Sequence, residues 1–269
     1  MRTCSPWYAS WSRLLSCLVI SCLTVMWGCA HLVPSPPVKP FSQKEIASLI
    51  THLKDQEKNI QSFHGLGAAS FKEGDREMEA NLLIVGSRPL KMRLELTHPW
   101  GKPLIHMVAD KECVLVLSLV DKKFFRGPPG ALGPQQLFLF DADLDSVWKV
   151  LSGRVPILPH VKAASLKPRE ISLYDGQGEA IEIISFAPGS PVVTSLSFPK
   201  KDLVVLLSDF SEGGLGFYPL EIKIVKGEED KFLAIRYKRL HINKPIPDEI
   251  FLLSPPPDFE IIDLKDHGA

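Results

Sequence analysis

Apolar and polar residues alternate with a period of two over much of this chain. The pattern is cleanest at 90–97, where Leu90, Met92, Leu94 and Leu96 share one parity and Lys91, Arg93, Glu95 and Thr97 the other, the signature of a half-buried strand. Pro99, Trp100 and Gly101 interrupt it, because proline cannot continue a ladder and glycine supplies turn geometry, and strand character resumes over 104–109. A tryptophan is thereby placed at a hairpin tip, where it either folds back onto the sheet edge or stands in solvent. Runs of the same kind fall at 66–71, 78–85, 113–119, 122–125, 170–174, 180–186, 192–198, 203–208, 217–225 and 231–240.

Two segments carry helical spacing instead. Ser42 and Glu45 form a capping box, with Phe41 and Ile46 as a hydrophobic staple. Ile46, Leu49, Ile50, Leu53 and Ile60 then mark one face of an amphipathic helix reaching to about Gln61. After a loop rich in glycine and proline at 127–134, a second helix is signalled by Asp141 or Asp143 as cap. Leu144, Val147, Trp148 and Leu151 follow at helical spacing, and Gly153 and Pro156 lie after its end, which makes Trp148 a core residue.

Eleven or twelve strands with two or three helices predict a mainly β (α+β) fold. Its expected form is a single large curved antiparallel sheet, an open half-barrel closed by the helices over an apolar cavity. No period of 20–50 residues repeats, which excludes propellers and solenoids.

The chain begins differently. Arg2 and Arg13 precede or border an apolar run from Leu14 to Met26 with no acidic residue, a secretory signal layout too short for a comfortable membrane span. Gly28 and Cys29 resemble the end of a bacterial lipobox. That resemblance implies cleavage before Cys29 and a covalent lipid on its thiol; Val19, Ile20, Ser21 and Cys22 also match the box locally but would strand Leu23 to Trp27 in the mature protein. Prolines at 34, 36, 37 and 40 make the following stretch a stiff, extended tether. The expected organisation is therefore a signal peptide at 1–28, a lipidated N-terminus and tether at 29–41, and one domain at 42–269. By the sorting rule for such lipoproteins, Ala30 rather than aspartate after the cysteine points to the outer membrane. Cleavage leaves Cys29 and Cys113 as the remaining cysteines, excluding a disulfide framework, and Cys113, in an apolar run, is expected to be a buried, inert thiol.

Charge removes one class of partner. Lys and Arg total 31, as do Asp and Glu, so no basic field exists to attract nucleic acid. Catalytic and metal chemistry finds little support. The eight histidines are scattered, and no zinc helix motif or nucleophile elbow occurs. Gly65, Gly67 and Ser70 lack the third glycine of a phosphate loop, and Gly213, Gly214 and Gly216 read as a hairpin turn. Asp141, Asp143 and Asp145 imitate a calcium loop, but Ser146 and Ser152 stand where glycine and glutamate are required, so helix capping is the better reading. The expectation is a non-enzyme without metal or cofactor beyond the lipid on Cys29.

Three segments resemble the LolA/LolB family of periplasmic lipoprotein carriers. The run from Arg93 through Leu94, Glu95, Leu96, Thr97, His98 and Pro99 to Trp100 and Gly101 is similar to the LolB-type strand and protruding loop, with Trp100 at the hydrophobic tip. The helix running into Leu151, Ser152 and Gly153 is similar to the family's helix and the segment after it. Ile246, Pro247, Asp248, Glu249, Ile250 and Phe251 resemble its C-terminal phenylalanine motif. The resemblance implies a cavity that receives acyl chains, with Leu49, Leu53, Leu94, Leu96 and Leu104 as lining, and a Trp100 loop that engages membrane or lipid. It implies lipoprotein acyl chains or another lipid as ligand, and a periplasmic carrier protein as partner. The rival expectation is a structural or assembly lipoprotein that docks a protein through a sheet edge or the 127–134 loop.

Overall fold

Turn chemistry divides most of the chain into two antiparallel meanders. A computed structural model describes residues 39–129, 143–227 and 231–264. The leader, Cys29, the tether as far as residue 38, Asp141 and most of the 127–134 loop lie outside the described residues. The described residues form one compact unit with its own core.

The first helix, α1 (Gln43–Lys58), begins where the sequence predicts. The Ser42 side chain accepts from the Glu45 backbone N–H, and the Glu45 carboxylate accepts from the Ser42 N–H at 2.7 Å. It ends at Lys58 rather than near Gln61, and Ile60 is buried from the connection that follows. Phe41 packs edge-on against Phe186, ring centres 5.6 Å apart.

The first meander runs β1 (Ser62–Glu73), β2 (Arg76–Ser87), β3 (Lys91–Thr97), β4 (Pro103–Ala109), β5 (Val114–Ser118) and β6 (Lys123–Gly127). The second helix, α2 (Leu144–Leu151), is capped by Asp143, whose side chain accepts from the Ser146 N–H. The second meander follows as β7 (Lys162–Ala164), β8 (Glu170–Tyr174), β9 (Ala180–Phe186), β10 (Val193–Phe198), β11 (Leu203–Gly213), β12 (Gly216–Lys226) and β13 (Lys231–Ile242). β13 pairs with β1 from Glu73↔Lys231 to Phe63↔Ile242 and so joins the meanders. The short β14 (Glu260–Asp263) adds in parallel to β6.

Among the described residues the result is mainly β, one large curved sheet of fourteen strands that does not close on itself, with two α-helices. All twelve strands expected from the sequence are present. β7 and β14 are additional, and each has too few residues to show a period.

The helices cover one face. Ile46, Ile50 and Leu53 from α1, and Val147, Trp148, Val150 and Leu151 from α2, pack onto inward residues such as Phe63, Ile84, Met92 and Ile235. Trp148 is 0% exposed, edge-on to Phe63 at 5.2 Å. The Tyr237 hydroxyl donates to the Leu151 carbonyl at 2.9 Å, tying β13 to the end of α2. On the opposite face a smaller cluster forms where Phe251, from the 3-10 turn Asp248–Phe251, packs against Val85 and Val108. Arg93 supports that turn, donating to the Ile250 carbonyl at 2.8 Å.

Candidate functional site

The registers place the β1–β2, β3–β4 and β5–β6 turns at one end of the sheet. The β2–β3, β4–β5 and β11–β12 turns and the start of β1 lie at the other. The first end carries Trp100. Between β3 and β4, the His98 N–H donates to the Lys102 carbonyl at 2.8 Å and the Gly101 N–H to the His98 carbonyl at 2.7 Å. Gly101 takes φ +89°, which a residue with a side chain rarely adopts. This tight turn leaves Trp100 91% exposed, with its ring edge-on to His98 at 5.6 Å. The sheet-edge alternative is thereby excluded. Val120, in the β5–β6 turn at the same end, is 58% exposed.

At the other end, four charged groups clasp the helices to the sheet. Arg88, in the β2–β3 turn, donates to Asp145 of α2 at 2.8 Å and reaches Glu57 of α1 at 3.4 Å. Lys149 contacts the same two carboxylates at 2.7 and 3.2 Å. Burial pushes the Asp145 carboxyl up, but hydrogen bonds from Lys149 and Arg88 hold it below the usual carboxylate range. The Arg88 guanidinium also lies 4.1 Å above the Trp148 ring.

A cleft of about 210 Å³ opens beside this clasp, lined by His52, Leu53 and Gln56 of α1, Arg154 and Val155 after α2, and residues of the β11–β12 hairpin. Arg154 is 3% exposed. It donates to the carbonyls of Phe217 at 3.2 Å and Leu215 at 3.3 Å, and stacks over Tyr218 at 4.2 Å. Its Nε has no partner, no carboxylate pairs with it among the described residues, and burial lowers its pKa. On the far side of the same hairpin, the β12–β13 ladder stops at Glu221↔Arg236. Beyond it the strands separate around a groove of about 490 Å³ lined in part by Leu215, Tyr218, Leu220 and Leu240.

A second buried ionisable group lies on β9. Glu182 is 0% exposed, and one oxygen accepts from the Leu158 N–H at 2.9 Å while the other has no partner. Burial pushes its pKa up to about 8, against that hydrogen bond and the Lys149 charge.

The leucines expected to line a cavity are spread out. Leu53 lines the cleft. Leu94 is buried in the core beneath the helices, with Leu49 and Leu96 half-buried against it. Leu104 is a correction. The register pairs Leu96 with Ile105, which packs against the core, whereas Leu104 falls at the register shift between Leu96 and Thr97 and belongs to neither apolar cluster. Cys113 also departs from expectation, being half-buried rather than buried. Burial and the neighbouring Asp110 raise its thiol pKa and so disfavour the reactive thiolate. Gly65 and Gly67 lie within β1, and Gly213 and Gly216 pair across the β11–β12 turn. Arg154 and Glu182 were not singled out in the sequence. Glu182 was accessible to it, as a charge sharing the inward parity of Ile184 and Phe186.

No family model matches the chain, and no curated protein matches it. Solved structures do. A LolA superfamily protein from Nitrosomonas europaea superposes with a TM-score of 0.52 at 11% identity, over 76% of this chain and 97% of that one. A domain from Vibrio parahaemolyticus described as outer membrane lipoprotein-sorting gives 0.51 at 7% identity, over 76% and 94%. The fold is LolA/LolB-like. A DUF1329 family protein from Desulfovibrio piger shares it, at a TM-score of 0.52 and 9% identity over 81% of this chain and 98% of that one.

Proposed function

We propose that the chain is an outer-membrane lipoprotein, held by a covalent lipid on Cys29 and facing the periplasm. In this reading its LolA/LolB-like domain binds acyl chains and receives or inserts lipoproteins handed over by a periplasmic carrier protein. The observation that carries the reading is Trp100, an indole 91% exposed at the tip of a tight turn. Such a side chain on a domain tethered at a bilayer belongs at headgroup level, where amphipathic rings are favoured. Burying an aromatic of roughly 150–250 Å² is worth about 4–6 kcal/mol when complete, and partial insertion at headgroup level less, enough to bias docking without locking it. Val120 at the same end would enter alongside it.

The acyl chain is assigned to the apolar space between the helices and the sheet, with Leu53 at its opening and Leu49, Leu94 and Leu96 within. The cleft of about 210 Å³ is smaller than the roughly 300–1,000 Å³ of ordinary ligand pockets. Uptake of a chain therefore requires the helices to part from the sheet against the Arg88 clasp. The same small volume favours a second reading, in which the domain docks a protein partner as an assembly factor and its interior stays closed.

Tryptophan fluorescence separates the two. In a chain beginning at Ala30 the tryptophans are Trp100 and Trp148, one in water and one fully buried. A blue shift of the red-emitting component on adding phospholipid vesicles supports the carrier. Emission indifferent to vesicles, with a stoichiometric protein partner co-purifying, would shift the assignment to the assembly reading.

A further inference from the structure

We propose that the cleft around Arg154 is a binding site for the anionic end of an amphiphile, taking a phosphate or carboxylate headgroup whose chain runs on into the apolar interior. This deepens the carrier reading above and rests on it.

The cleft holds an unbalanced charge. A guanidinium 3% exposed to solvent is costly unless something neutralises it. Two backbone carbonyls and a tyrosine ring orient Arg154, but none of them carries a full negative charge, and Nε is left with nothing to bond. Among the described residues no aspartate or glutamate lines the cleft. The polar side chains beside Arg154 there are His52 and Gln56; the Gln56 amide donates to the His52 ring at 3.0 Å and keeps a second N–H to offer an oxyanion. The remaining side chains, among them Leu53, Val155, Leu207 and Phe210, are largely apolar. Donors and one buried positive charge at the opening of a greasy wall match a molecule with an anionic end and a hydrocarbon body. A volume of about 210 Å³ accommodates a headgroup and its first few methylenes.

Arg154 also holds the β11–β12 hairpin through those carbonyls, so replacing it risks the fold. Gln56→Glu is the cleaner variant. Gln56 is half-buried on α1 and takes no part in the Arg154 carbonyl bonds, and the change places a negative charge in the cleft.

The test is calorimetric titration of the chain from Ala30 onward, which contains the whole compact unit, with octyl phosphate and with octyl glucoside below their micelle concentrations. The expected result is that octyl phosphate binds about tenfold or more tightly than octyl glucoside, as charge-assisted hydrogen bonds predict. Gln56→Glu should erase that preference without lowering the melting temperature. Equal affinity for both amphiphiles would overturn the anion site and leave the carrier reading standing. Binding of neither would overturn the carrier reading itself. Displacement of octyl phosphate by an equal concentration of inorganic phosphate would assign the cleft to a free ion and overturn the amphiphile. A preference that survives in Gln56→Glu would place the anion elsewhere and refute the assignment to this cleft.

Discussion

Trp148 Nε1 lies 2.6 Å from the point where a side chain on Gly86 would begin. The helix α2 therefore rests directly on the backbone of β2, with Phe63 crowding the same spot. Glycine here provides room for the indole rather than for a turn. Gly86→Ala should cost about 1–3 kcal/mol, the usual penalty for overpacking a core that cannot shift. Urea denaturation followed by circular dichroism would show it as a lower midpoint with unchanged slope; an unaltered midpoint would mean that α2 can lift off the sheet freely.

Glu182 makes stability depend on pH with a defined sign. Its carboxyl is pushed from 4.5 to about 8 in the folded protein, so the folded state holds a proton that the unfolded chain releases above 4.5. Stability from this group is complete below 4.5 and is lost as pH rises through 8, at up to about 1.4 kcal/mol per pH unit between those values. Glu182→Gln removes the titration. The variant should therefore gain on the wild type as pH rises from 5 to 9, read from melting temperatures across that range. A parallel pH dependence in both proteins would show that Glu182 is ionised, or solvated, at neutral pH.

These two residues also show what the sequence could reveal. Period-two alternation identified every strand long enough to display it, and the capping box at Ser42 and Glu45 fixed the start of α1 because both signals are local. The three residues of β7 and the four of β14 are too short to carry a period, and β14 pairs with a strand more than a hundred residues away. Leu104 was misplaced because the interruption at Pro99 to Gly101 and the register shift between Leu96 and Thr97 reset the parity, and only the pairing of Leu96 with Ile105 reveals which face follows. Arg154 belongs to no motif. Its charge becomes informative once the fold has surrounded it with carbonyls and no carboxylate. Trp100 was legible as a tip residue, but whether it folds back depends on the Gly101 turn.

The clasp formed by Arg88, Asp145, Lys149 and Glu57 should behave as an electrostatic latch on the helices. Arg88→Ala removes two carboxylate contacts and the stacking on Trp148, at a cost on the order of 1 kcal/mol. Asp145 has its pKa lowered in the fold, so its contribution is present above the unfolded value of about 3.8 and is lost as pH falls through the folded one. The gap in stability between wild type and Arg88→Ala should thus narrow in acid and in high salt. In the carrier reading the same substitution eases parting of the helices and should speed acyl-chain uptake. Denaturation at pH 7 and pH 3 measures the first effect; a gap that stays constant would assign Arg88 to packing on Trp148 alone.

Trp100→Glu separates docking from folding. The side chain packs edge-on to His98 and is almost wholly in water, so its replacement should change stability by no more than about 0.5 kcal/mol. At a membrane surface the outcome differs, because a carboxylate can neither enter the headgroup region favourably nor replace the apolar area of the ring. Vesicle affinity of the chain from Ala30 onward should fall more than about tenfold, whereas Trp100→Phe, which keeps much of the apolar area, should fall less. Sedimentation with vesicles gives the affinities, and the melting curve controls for folding. If Trp100→Glu binds vesicles as the wild type does, this end of the sheet does not meet the membrane. The exposed indole would then mark a protein-docking surface, where an aromatic anchor with a polar rim is equally at home.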